Sequence, residues 1–132
     1  MPSNPNKYLR SEILRVLSGI GYPVFDKGVP IDSEGIMQYI LITSQTKNQF
    51  ESSKTCFNWQ VSANIDINFV DALGYNRSEL VDDLETEIDN RLRGIVGLYD
   101  ISTFSNDLTY DTKTHTVNRR VLTFTGWLST GN

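Results

Sequence analysis

The stretch Cys56 to Val70, CFNWQVSANIDINFV, constrains this chain more than any other. Its odd positions from 57 to 69 are all apolar: Phe57, Trp59, Val61, Ala63, Ile65, Ile67 and Phe69. Its even positions from 58 to 68 are Asn58, Gln60, Ser62, Asn64, Asp66 and Asn68. Side chains alternate across a strand, so this pattern makes one dry face and one wet face. Residues 56 to 69 extend roughly 46 Å at ~3.3 Å each, far beyond an ordinary strand of ~5 to 6 residues. The spacing predicts a strand that overshoots the core and forms half of a projecting hairpin able to reach another subunit.

A chain of 132 residues fits one domain that buries one core without cross-links. Its single cysteine cannot form an internal disulfide, which points to a reducing compartment. No apolar run approaches the ~20 residues of a membrane span, and MPSNPNKYLR lacks the apolar centre of a secretion signal. The expectation is a soluble protein made in the cytoplasm. Net charge is −4 and the basic residues are scattered, which speaks against a tight grip on nucleic acid.

Residues 1 to 6 read as a loose, polar, proline-containing arm. Leu9, Ile13, Val16, Leu17 and Ile20 form a helical stripe over Lys7 to Ser18, closed by Gly19 and Gly21. Val24 and Phe25 read as a short buried strand, and Ile36 to Thr46 as a strand covered on both faces around Tyr39 to Ile42. KNQFESSKT then reads as a polar loop at the hairpin tip. Past the long strand, Asn76 and Glu79 suit a capping box for a helix over Ser78 to Leu92, with Val81, Leu84, Ile88 and Leu92 as its apolar stripe. Leu98 to Tyr110 and Arg119 to Leu128 read as two more strands, joined by the turn DTKTHTVN. The fold class is therefore α+β: a two-layer domain with two helices on one face of a mainly antiparallel sheet, the odd-numbered face of the long strand.

Catalytic chemistry is hard to place on this chain. His115 is the lone histidine, set between threonines in a polar connection, and reads as a plain loop residue. Cys56 and His115 together fall short of the four ligands of a structural zinc, and Cys56 reads as a small thiol at the core edge. Neither a nucleophile elbow, a phosphate loop nor an HExxH pair occurs. The acids Glu79, Asp82, Asp83, Glu85, Glu87 and Asp89 could suggest catalytic carboxylates or Mg²⁺. Glu87 faces Arg91 and Asp89 faces Arg93, however, and acids at the start with bases at the end complement the helix dipole. The plain reading is a solvated helix; the other is a charged contact with a second subunit through Asp83 and Glu87. The expectation is no enzyme, no metal and no cofactor.

Arg119 and Arg120 are adjacent on a strand, point to opposite faces and cannot clamp one phosphate. The wet face of the long strand is polar yet almost uncharged. Its Asn58, Gln60 and Asn64 suit a subunit contact, the wall of a channel past which a polyanion slides, or simple exposure. At the hairpin tip, Lys47, Phe50 and Lys54 are candidate contacts. Phe50 either folds back on its own hairpin or anchors on a neighbour.

The sequence of features, a leading helix, GYPVFDKGVP, YILITSQT, a loop, WQVSANIDINF, SELVDDLETEIDNRL and a closing hairpin ending in TFTGWLS, resembles the tail-terminator or tail-completion proteins of long-tailed bacteriophages. The likeness spans nearly the whole chain and rests on order, length and pattern, with no short diagnostic motif. It implies a virion subunit that assembles as a ring, a hexamer, on the end of the tail tube. There it stops tube growth and docks on the head connector or neck proteins, with DNA passing through the lumen unbound. The resemblance carries over no catalytic residue. With that ring, the loop Lys47 to Thr55 and the connection Lys113 to Asn118 would meet neighbours or the tube. A head-completion or neck connector protein is the alternative, and a small ligand-binding or hydrolytic α+β domain using the acidic helix is a third reading.

Overall fold

The structure is a computed structural model that describes residues 4–26, 38–52 and 57–129, with backbone alone at Ser44, at 48–52 and at Phe57. Helix α1 (Pro5–Leu17) starts two residues before the expected Lys7. Asn4 is its N-cap, accepting from the Asn6 amide at 3.0 Å, and Pro5 takes the first turn, where a missing N–H costs nothing. The expected arm over residues 1 to 6 is therefore corrected: Pro5 and Asn6 are helical, and 1–3 lie outside the described residues. Gly19, at φ +78°, supplies the left-handed turn that ends the helix.

A short strand β1 (Val24–Phe25) pairs in parallel with β2 (Gln38–Ser52), Val24 opposite Ile40. Strand β2 runs on through KNQFES, which was expected to be loop, because its backbone pairs with β3 (Phe57–Ala72) as far as Ser52 opposite Phe57. Bulges interrupt it between Ile42 and Ser44 and between Gln49 and Glu51. Lys54 and Cys56 lie outside the described residues, and so does the side chain of Phe50.

Helix α2 (Ser78–Leu92) follows β3. Its entry differs from the expected capping box. The Asn76 Oδ1 accepts from the amide and hydroxyl of Ser78 at 2.8 and 2.7 Å, and the residue before the helix is Arg77, without a side-chain cap. The remaining strands are β4 (Leu98–Asp107), β5 (Tyr110–Asp111) and β6 (His115–Ser129). The sheet order is β1-β2-β3-β6-β4, with β5 on β6. Strand β6 accompanies β3 from Ala72 opposite His115 to Asn58 opposite Ser129. Among the described residues, the pairing of β2 with β3 runs one register pair, Ser52 opposite Phe57, beyond the last pair of β3 with β6.

The connection expected over Lys113 to Asn118 is largely strand. Thr116, Val117 and Asn118 are buried, which corrects their proposed role as partner contacts. Thr116 Oγ1 accepts from the Gly74 amide at 2.7 Å and donates to Asp111. Asn118 accepts from the Arg77 amide and donates to the Tyr75 carbonyl. These bonds satisfy buried polar groups and pin the turn between β3 and α2.

Both helices cover the odd-numbered face of β3. Ile65, Ile67 and Phe69 are wholly buried there against Leu9, Ile13 and Leu17 of α1 and Ile88 and Leu92 of α2, with Leu122, Phe124 and Leu128 of β6. Trp59, nearer the tip, packs on this core half-buried, and the Lys47 ammonium sits 5.4 Å from its ring centre. Arg91 ties the helices together by donating to the Val16 and Ser18 carbonyls at the end of α1. The molecule is thus α+β, two helices on one face of a mostly antiparallel sheet. No described helix is long and apolar enough to cross a membrane.

Candidate functional site

With both helices on one side, the even residues of β3 lie on a sheet face that no described helix covers. Asn58, Gln60, Ser62 and Asn64 are half-buried along its centre. Asn58, Ser62 and Asn64 are bonded across strands. Tyr99 donates to Asn58 Oδ1 at 3.1 Å, Thr123 donates to Asn64 Oδ1 at 2.8 Å, and Thr46 and Ser62 share a hydrogen bond between hydroxyls. Exposed rings stand at the rim, Tyr99, Phe104 and Tyr110. The result is a neutral, polar strip along β3, with Trp127 of β6 opposite Gln60 and exposed rings at the border.

One charge pair interrupts this strip. Asp66, almost wholly buried, receives the Arg119 guanidinium at 2.8 to 3.2 Å and the Asn68 amide at 2.9 Å. Register explains the meeting: Asn68 is opposite Arg119 and Asp66 opposite Val121, so Asp66 and Arg119 are diagonal neighbours on one face. The bond to Asp66 raises the pKa of Arg119 and keeps it charged. Burial, and then the Asp66 carboxylate, push the Tyr39 phenol above its ordinary range.

Arg120, next in sequence, points to the helix layer as expected from strand alternation. It meets Asp82 and Glu85 of α2, the latter at 3.1 Å, and Asp107 of β4 at 3.4 Å. Glu87 pairs with Arg91 at 2.8 Å and Asp89 with Arg93 at 3.3 Å. Most of the acids of α2 thus serve helix-to-sheet and intrahelical ion pairs. Among the described residues no group of three or more His, Cys, Asp or Glu could hold a metal ion. His115 begins β6, half-buried, its Nδ1 bonded to the Thr114 hydroxyl at 2.7 Å.

The residues singled out from sequence therefore fall on separate surfaces. Asn58, Gln60 and Asn64 share the uncovered sheet face. Asp83, exposed, and Glu87, half exposed, lie on the outer side of α2, across the sheet. Lys47, exposed near the hairpin tip, also donates to Asn4 Oδ1 at 3.3 Å, so its charge serves the first turn of α1 as well. The Asp66–Arg119 pair was missed. Its one signal in the sequence is a single acid among amides on the wet face, and its partner depends on a register between strands 53 positions apart. The cleft beside Tyr75 and Asn76, with Asp107 and Asp111, also left no sequence signal because two connections and the strands β5 and β6, distant in sequence, build it. Two hydrogen bonds from Thr109 hold the Asp107 carboxyl below the usual carboxylate range.

No family model matches the chain, and no curated protein matches it.

Proposed function

We propose that this chain is a structural subunit of a bacteriophage virion, a tail terminator that assembles as a ring at the head-proximal end of the tail tube. In that position it ends tube growth and joins tail to head, and DNA passes through its lumen. The observation that carries the reading is the neutral uncovered face of the sheet, centred on Gln60, Ser62 and Asn64. A strip of amides and hydroxyls gives a passing polyanion nothing to adhere to, whereas a basic strip would hold it by counterion release. The resemblance in element order supports the same reading: helix, short strand, long hairpin, helix, closing strands. Four acids of α2, Asp82, Glu85, Glu87 and Asp89, are taken up by Arg120, Arg91 and Arg93, which supports a structural role over a hydrolytic one.

Deleting the chain from an assembling phage tests this. Loss of a terminator yields tubes of unregulated length that fail to join heads, and supplying the purified protein restores joining. Tubes of normal length that still join heads would end the proposal.

A further inference from the structure

Among the described residues, two edges of the sheet lack a neighbouring strand over stretches of equal length. On β2, β1 pairs only with Ile40 and Leu41, and the bulges bound a regular segment from Ser44 to Gln49. On β4, the irregularity between Tyr99 and Ser102 leaves a regular segment from Ser102 to Asp107. Each is six residues long. Among the described residues no strand lies outside either one.

The backbone direction of each edge follows from the ladder. The Leu108 amide bonds to the Arg119 carbonyl, so 108, 106 and 104 bond inward to β6. Thr103, Ser105 and Asp107 therefore turn their N–H and C=O groups outward. On the other side the Ile40 amide bonds outward to Pro23, and one bulge later the outward residues are Gln45, Lys47 and Gln49. Both outward sets carry side chains on the helix face: Lys47 is opposite Val61, and Thr103 is opposite Phe124. Strands β2 and β4 are antiparallel to each other, since β2, β3, β6 and β4 alternate in direction. A second copy placed beside the first, in the same orientation, can thus extend the sheet by antiparallel pairing with all helices on one side. Lys47 on one edge and Asp107 on the other add opposite charge.

We propose that copies of this chain join head to tail through these edges, β4 of one copy pairing with Ser44 to Gln49 of the next. Two different edges make a heterologous contact, which closes into a ring when the rotation allows. Strand closure also needs a stagger. Because β1 occupies Ile40 and Leu41, the incoming β4 is displaced toward the hairpin tip, with Ser105 opposite Lys47 or, one bonded pair lower, Gln45. The closed form of this contact rests on the ring reading above; the contact itself does not.

Cysteine cross-linking separates the two. In a Cys56→Ser background, chains carrying Ser105→Cys together with either Lys47→Cys or Gln45→Cys are oxidised and resolved without reductant. One of the two pairs is expected to give a covalent ladder ending at a closed species. Ser105→Cys alone is expected to give no dimer, and mixing it with the matching single variant gives dimers only. Ser105→Pro provides the converse test, because its N–H faces outward and proline there breaks no internal ladder bond. It is expected to keep the wild-type circular dichroism and melting curve while losing assembly. Rings that form without either cross-link and survive Ser105→Pro would overturn the edge contact and leave the ring standing. Cross-linked open filaments would uphold the contact and sink the ring, and a chain that stays monomeric at millimolar concentration would overturn both.

Discussion

The Asp66 carboxylate sits at 5% side-chain exposure in the middle of the uncovered sheet face, held at 2.8 Å by Arg119, which is itself 36% exposed. A buried acid tolerates this place only while its cation stays with it. Arg119→Ala is expected to cost about 2 kcal/mol, below the ~3–5 of a fully buried pair because water reaches the guanidinium. Asp66→Asn combined with Arg119→Met is expected to recover most of that loss. Urea unfolding of both variants measures it, and an Arg119→Ala chain as stable as wild type would show that the pair contributes nothing.

The core makes a sharper demand. Ile65 is wholly buried between the two helices and the sheet. Ile65→Ala is expected to lower stability by about 3 kcal/mol through lost burial and an unfilled cavity. Leu80, exposed on α2, is expected to tolerate serine within about 0.5 kcal/mol. Equal losses at the two positions would refute the assigned layer.

Much of this layering is legible in the sequence, and the reason is local. Alternation over residues 57 to 69 and the stripe Val81, Leu84, Ile88 and Leu92 each repeat a period several times, so each fixes its buried face unaided. The helix start at Asn4–Pro5 was lost because one cap pair is a short signal inside a polar segment. The strand character of Lys47 to Ser52 and of His115 to Asn118 comes from pairing with β3, a tertiary effect that overrides polar, turn-prone composition. For the same reason the uncovered face could be read as polar, while the diagonal meeting of Asp66 and Arg119 could not.

Backbone conformation gives an independent check where α2 leads into β4. Gly97 has φ +85°, and a Cβ there would stand 3.2 Å from the Ser129 carbonyl oxygen of β6. Gly97→Ala is expected to cost about 1–2 kcal/mol, combining left-handed strain with displacement of a paired strand. Thermal unfolding reads this directly, and an unchanged melting temperature would contradict the turn as described.

Acid titration tests the loop between β4 and β5. The Asp107 pKa is depressed in the folded state, first by the Thr109 hydroxyl and then by its amide. Its contribution is therefore present above the unfolded value, ~3.9, and lost as pH falls through the lower folded value. Thr109→Ala is expected to move the Asp107 carboxyl resonance to a higher titration midpoint in NMR. A midpoint that does not move would remove Thr109 as the cause.

A tail terminator is defined by its place in the particle as much as by its shape. Cryo-electron microscopy of the assembled particle at side-chain resolution tests it most directly. The expected result is a closed ring of this chain between the last tube ring and the head connector, with Gln60, Ser62 and Asn64 lining the lumen. A particle in which the chain is absent, sits against the portal away from the tube, or presents Asp83 and Glu87 to the DNA would contradict it.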